Sequence, residues 1–248
     1  MSLLKKIHPE QPLKELRWFD ISIVTLIMFG QFIVRSTQMY LASLSPSLST
    51  AISETSTNTA SEGAAYSSNF TLQIILLALA IIYLWIRHFD FKQLPIRLKW
   101  SVLFWVPFIF AIMGLFADIV STLSGQYNYF SPQVLAFISP MAVIDKFMAL
   151  SPMAIAYGLL NGFYEEFFFL GLLTSVKDKY KWLVLLFSTI VRVSFHTYQG
   201  MLWALVIGVA FGLLYKYKVK NLLPFFLVHA LADMFGSSLI YLLVNWNY

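Results

Sequence analysis

The chain has 248 residues, of which 59% are hydrophobic and 12% charged, with mean hydropathy +0.72; a soluble domain spends about a quarter of its residues on charge, so a soluble globular protein is excluded. The net charge of +5 does not indicate a nucleic-acid binder, because the basic residues sit beside apolar runs and form no stripe. The absence of cysteine excludes disulfides, thiolate ligands and a cysteine nucleophile.

A membrane span needs roughly 20 mainly apolar residues. Runs of this kind lie at about 21–43, 70–87, 101–122, 153–174, 182–198, 200–215 and 222–244. The predicted fold class is therefore an all-α polytopic membrane protein with about seven transmembrane helices, residues 1–248 forming a single integral-membrane domain. Within it, 1–150 hold the N-terminal spans and an outside loop, and 151–240 hold the residues with chemistry. The first run begins some twenty residues in and exceeds a signal-peptide core, so it reads as a retained anchor.

Charge placement sets the expected orientation. Lys5, Lys6, Lys14 and Arg17 precede the first run; Arg87, Lys92, Arg97 and Lys99 follow the second; Lys177, Lys179 and Lys181 follow the fourth; Lys216, Lys218 and Lys220 follow the sixth. These are 14 of the 17 Lys and Arg. All fall on one side of a seven-span arrangement, the cytoplasmic side by the positive-inside rule. The N-terminus is then inside, and the C-terminus, with interfacial Trp246 and Tyr248, outside. The expected location is the cell membrane, as a multi-pass protein of the bacterial plasma membrane.

Residues 44–69 lack Lys and Arg and are rich in Ser, Thr and Ala, which reads as an outside loop. The triplet Asn69, Phe70, Thr71 at its end is formally a glycosylation acceptor, but it abuts the membrane. Residues 130–151 are apolar yet contain Pro132, Pro140, Asp145 and Lys146. If they spanned, the later lysine clusters would face outward. The expectation is an interfacial or re-entrant helix broken at Pro140.

An ionisable group inside a span costs on the order of 2.5–3.5 kcal/mol on insertion scales unless it meets water or a partner. Arg35 and Asp118 lie toward the outer ends of their spans and are expected to reach headgroup water. The remaining groups gather in the last four runs. Glu165 and Glu166 are adjacent, so they point about 100° apart on a helix; one can face a cavity while the other braces a neighbour. His229 and Asp233 share a helical face at a spacing of four, as do Arg192 and His196. Two buried carboxylates raise each other's pKa, which suits one of them to act as a general base. Placement alone leaves chemistry, transport and a structural polar network all open. A transporter predicts inverted repeats, and none is evident.

Two adjacent glutamates in one run, a histidine late in the next, and a histidine followed four residues later by Asp in the last resemble the motifs of the CPBP family. This family, also called Abi, contains the CAAX prenyl proteases and bacteriocin-processing enzymes. The resemblance covers roughly 150–240. In its EExxxR motif Glu165 and Glu166 match, and Leu170 stands at the arginine position. In FxxxH, His196 matches and Arg192 takes the phenylalanine position, although "RVSFHTYQG" is similar to the version of this motif in many bacterial members. In HxxxN or HxxxD, His229 and Asp233 match. Arg192, one turn before His196, is the candidate to replace the missing guanidinium from a neighbouring helix.

The resemblance implies an intramembrane endopeptidase acting on membrane-associated peptides or proteins. Glu165 would activate water, with Glu166, His196, His229 and Asp233 completing the catalytic set and Arg192 supporting it. His196 and His229 would stabilise the oxyanion, or with Glu165 hold a divalent metal such as zinc, though no HExxH signature is present. Membrane lipid is an expected partner, as is a membrane sensor protein if the chain is instead a non-catalytic scaffold, a sensor-kinase modulator or a bacteriocin self-immunity protein. At about 1.5 Å per residue, Glu165 lies about 14 Å, His229 about 10 Å and His196 about 20 Å from the cytoplasmic ends of their runs. Convergence requires the fifth helix to tilt, or to break before Gln199 and Gly200.

Overall fold

A computed structural model describes residues 11–44, 62–198 and 200–245. Among these the structure is helical, with no strand beyond two isolated bridges. The helices are α1 (Trp18–Ser43), α2 (Glu62–Ile86), α3 (Ser101–Leu123), α4 (Pro132–Leu135), α5 (Pro140–Met148), α6 (Pro152–Phe169), α7 (Gly171–Thr174), α8 (Lys181–Phe195), α9 (Met201–Tyr217), α10 (Leu223–Phe235) and α11 (Leu239–Leu243). Lys5, Lys6, Gln199, Trp246, Tyr248 and most of the expected outside loop lie outside the described residues. The second helix starts at Glu62, earlier than predicted, so the glycosylation triplet is helical; Thr71 Oγ1 donates to the Ser67 carbonyl at 2.9 Å.

Every predicted apolar run contains a helix, but not every helix is long. α1, α2 from Ser67 and α3 are long and apolar enough to cross a membrane, and a fourth crossing is possible if the bent pair α5 and Pro152–Thr174 is one broken span. α9 and α10 are apolar but shorter. With 15 residues, α8 reaches about 22 Å at 1.5 Å per residue. The last run is not continuous: α10 stops at Phe235, Gly236 takes a positive φ of 82°, and α11 restarts at Leu239.

The chain divides into two compact units, Met1–Ile96 with Tyr164–Leu222, and Arg97–Phe163 with Leu223–Tyr248. In the first, α1 packs on α2 and α8, and α8 packs on α9. Phe29 of α1 is its aromatic hub, with ring centroids 5.5 Å from Tyr164, 4.7 Å from Phe168, 5.0 Å from Phe169 and 5.2 Å from Phe195. The Tyr164 hydroxyl donates to the Met28 carbonyl. This packing fastens the glutamate-bearing end of α6 to α1 and α8.

Near the start of α1, Asp20 meets Arg87 at 2.6 Å, both side chains being almost fully buried. Tyr83 donates to the same Asp20 oxygen at 2.7 Å, and the Arg87 guanidinium lies 5.2 Å from the Phe19 ring centroid. Arg87, one of the basic residues that follow the second run, is thus a bolt between α1 and the end of α2. Burying both charges together avoids leaving either one desolvated and unpaired.

In the second unit α3 packs on α10 and α11, and α11 packs on α5. Asp118 is 0% exposed and accepts from the Ile240 N–H at 2.9 Å. The expectation that it reaches headgroup water is therefore wrong. Its carboxylate serves the N-terminus of α11, where helix N–H groups lack intrahelical acceptors. Lys146 plays the opposite part at the C-terminus of α11, donating to the carbonyls of Tyr241, Leu242 (3.2 Å) and Val244 (2.6 Å). Pro140 stands at the first position of α5, where its missing N–H costs nothing. α5 is bent by 101° from the following helix, so the bend falls between Met148 and Pro152, whereas the predicted break is at Pro140.

Candidate functional site

Glu165 and Glu166 sit on α6 amid Phe and Tyr, and both are buried. The Glu166 Oε1 is 2.5 Å from the Arg192 Nη2, with side chains 0% and 2% exposed. The guanidinium carbon lies 4.1 Å from the Phe169 ring centroid, a cation–π contact made stronger by desolvation. Arg192 on α8 thus brings to Glu166 the positive charge that Leu170 does not carry. Leu170 itself is buried, and its N–H donates to the Glu166 carbonyl at 3.0 Å, so helical spacing persists through this position.

Arg192 also holds His196. Its carbonyl oxygen is 2.9 Å from the His196 Nδ1, and a carbonyl can only accept, so Nδ1 carries the hydrogen. The other ring nitrogen, Nε2, then has a lone pair in the neutral ring and an N–H in the imidazolium. The His196 backbone N–H divides between the carbonyls of Arg192 and Val193, each at 3.2 Å, the bifurcation usual where a helix ends. His196 is the C-terminal cap of α8, and the helix breaks before Gly200, one of the two departures expected of the fifth helix. Gly200 has φ +146°, a conformation that favours glycine, and it turns the chain into α9. The Tyr198 N–H donates to the Ser36 Oγ at 3.1 Å, tying this turn to α1.

In the second unit, His229 and Asp233 share one face of α10, with His229 Nε2 3.9 Å from Asp233 Oδ1. That is an electrostatic contact, too long for a hydrogen bond. The other Asp233 oxygen accepts from Asn161 Nδ2 at 2.9 Å. Asn161 is a site neighbour that reading the sequence missed; the signal was a lone amide in an apolar helix four residues before Glu165. Gly162 makes the Asn161–Asp233 contact possible. A Cβ at Gly162 would stand 2.4 Å from the Phe226 carbonyl oxygen and 2.8 Å from the Ala230 nitrogen, so only glycine admits this approach of α6 to α10.

The structure thus forms two groups: Glu166, Arg192 and His196, with Glu165 on the same helix as Glu166, and His229, Asp233 and Asn161. Among the described residues, no three of His, Asp and Glu are placed to hold a metal ion.

An all-helical membrane protein with buried carboxylates and half-buried imidazoles in apolar helices is the class that fold and site define. Residues 147–235 match the family model described as Type II CAAX prenyl endopeptidase Rce1-like, a CPBP family. The family is the one that the three motifs resemble, and it is a family of proteases. All six residues singled out from the sequence, Glu165, Glu166, Arg192, His196, His229 and Asp233, lie within the matched stretch. No curated protein and no solved structure matches the chain.

Proposed function

We propose that the protein is a multi-pass endopeptidase of a bacterial cell membrane, its N-terminus in the cytoplasm, hydrolysing membrane-associated peptides or lipoprotein-like precursors. The observation that carries this reading is the double engagement of Arg192. Its side chain pairs with a glutamate of the first motif while its carbonyl orients the histidine of the second. The replacement of the motif arginine by Leu170 therefore leaves a guanidinium on Glu166.

In this reading Glu165 takes a proton from water as the oxygen attacks the scissile carbonyl carbon. The tetrahedral oxyanion is stabilised by His196; His229 is given the same role by the motif resemblance alone. With its Nδ1–H committed to the Arg192 carbonyl, His196 donates Nε2–H to the oxyanion as the imidazolium; His229 shares a helical face with Asp233, which Asn161 holds. Collapse of the intermediate breaks the C–N bond, and the leaving amine takes the proton from Glu165. Glu166 and Arg192 keep the base end of α6 in register with α8.

The test incubates purified protein in proteoliposomes with membrane-inserted peptides and detects fragments by mass spectrometry, with and without a chelator. Glu165→Gln should lower cleavage by about 10²–10⁴-fold, the usual contribution of a general base. Wild-type rates in the Gln variant would overturn the mechanism, and loss of wild-type cleavage on chelation would favour the zinc account.

A further inference from the structure

Three lysines that the site does not use converge on one cavity in the first unit. Lys181 begins α8, Lys216 is in the last turn of α9, and Lys220 follows it. All three line a cavity of about 500 Å³ whose floor includes Leu173, Leu185 and Tyr215, all buried. Trp182 forms one wall and is half exposed. The Lys216 Nζ stands 3.6 Å from the Trp182 ring centroid, which holds the ammonium at the rim. The only acid lining the cavity is Asp178, paired with Lys181 at 2.6 Å.

Three cations facing one carboxylate leave an excess of positive charge over an apolar floor. Basic pockets between helices at a membrane surface suit anionic headgroups, and a tryptophan beside the rim sits where aromatic side chains meet the headgroup level. Exposed Leu186, four residues after Trp182 on the same face of α8, extends the apolar surface, in line for an acyl chain. A soluble anion would need the cations but not this floor. We propose that the cavity binds an anionic membrane phospholipid, its headgroup phosphate between Lys181, Lys216 and Lys220 and its acyl chain along Leu185 and the outer face of α8.

The same side of α8 carries the Trp182 ring and the end of α9, so a bound lipid would clamp α8 to α9 beyond the turn at Gly200. The lipid site is independent of proteolysis and is tested by binding alone. Native mass spectrometry of the detergent-solubilised protein, titrated with dioleoyl phosphatidylglycerol, should show a discrete bound lipid. The zwitterionic phosphatidylcholine should bind far more weakly, and millimolar glycerol phosphate should not compete. The triple variant Lys181→Gln, Lys216→Gln, Lys220→Gln should bind phosphatidylglycerol about 100-fold more weakly, from the usual contribution of each basic residue near an anionic surface. Lys92→Gln with Lys99→Gln should change binding less than about twofold. Equal affinity for the two lipids, competition by glycerol phosphate, or undiminished binding by the triple variant would each overturn the proposal. Should that variant fail to fold, the charge-conserving Lys→Arg triple must retain binding, and the wild-type preference between the two lipids decides the matter.

Discussion

The Arg192–Glu166 pair offers the sharpest perturbation. Both side chains are almost wholly withdrawn from solvent, 2% and 0% exposed, so truncating the arginine leaves a buried carboxylate without its cation. Breaking such a pair costs about 3–5 kcal/mol, and loss of the 4.1 Å contact with Phe169 adds about 0.5–2 kcal/mol. A typical domain has only about 5–15 kcal/mol of stability. Arg192→Ala is therefore expected to forfeit a third or more of it, whereas Glu166→Leu with Arg192→Leu, which removes both charges, should fold nearly as well as the wild type. The assay is a double-mutant cycle on unfolding in mixed detergent micelles, followed by tryptophan fluorescence, with cleavage measured alongside. A coupling of about 2–3 kcal/mol is expected. Relocation gives a second arm. Leu170 lies four residues after Glu166, on the same helical face, so Leu170→Arg introduced into Arg192→Leu should return much of the lost stability. A coupling below about 0.5 kcal/mol, or no rescue by Leu170→Arg, would refute the view that Arg192 replaces the motif arginine.

Two further perturbations address the second unit. Asp118→Ala should cost about 1–3 kcal/mol, the penalty for a buried N–H left without an acceptor, because it strips the acceptor from Ile240; Asp118→Asn should cost less, its amide oxygen still accepting, and thermal unfolding separates the two. Gly162→Ala should cost about 1–3 kcal/mol or more, since the added Cβ meets the Phe226 carbonyl at 2.4 Å and backbone cannot yield as a side chain can. Gly171→Ala is the control, with nothing nearer than 3.7 Å, and its unfolding should shift by less than about 0.5 kcal/mol.

How much could be read beforehand differs from residue to residue. His196 and its partner Arg192 were legible because a spacing of four is itself a statement about one helical face. The tautomer was not, since it depends on which atom meets the Arg192 carbonyl. Glu166 was legible as a buried acid, and Arg192 was a candidate for its counter-charge. Arg87 was legible as a cation at the end of a span, but its partner was not: the positive-inside pattern holds whether it faces headgroups or an aspartate 67 residues away. Asp118 misled. Its position near a span end predicts access to water, but α11 covers it and uses it as a cap. Asn161 drew no notice because one amide in an apolar helix gives no sign of its partner.

What the amino-acid sequence determined alone is whatever composition and period control: an apolar, all-helical membrane protein, helices at the seven predicted runs, and three motifs that resemble those of a protease family. Those properties are local, since hydropathy acts residue by residue and a helix repeats every 3.6 residues. Only the tertiary structure decided where helices stop and what the buried charges face. α8 ends at Phe195 and α10 at Phe235. Glu166 finds its guanidinium on another helix, 26 residues away, and Asp233 finds its amide donor 72 residues away. Burial makes an unpaired charge costly wherever its partner lies in the chain, so folding selects partners by proximity in space, which no spacing along the sequence records.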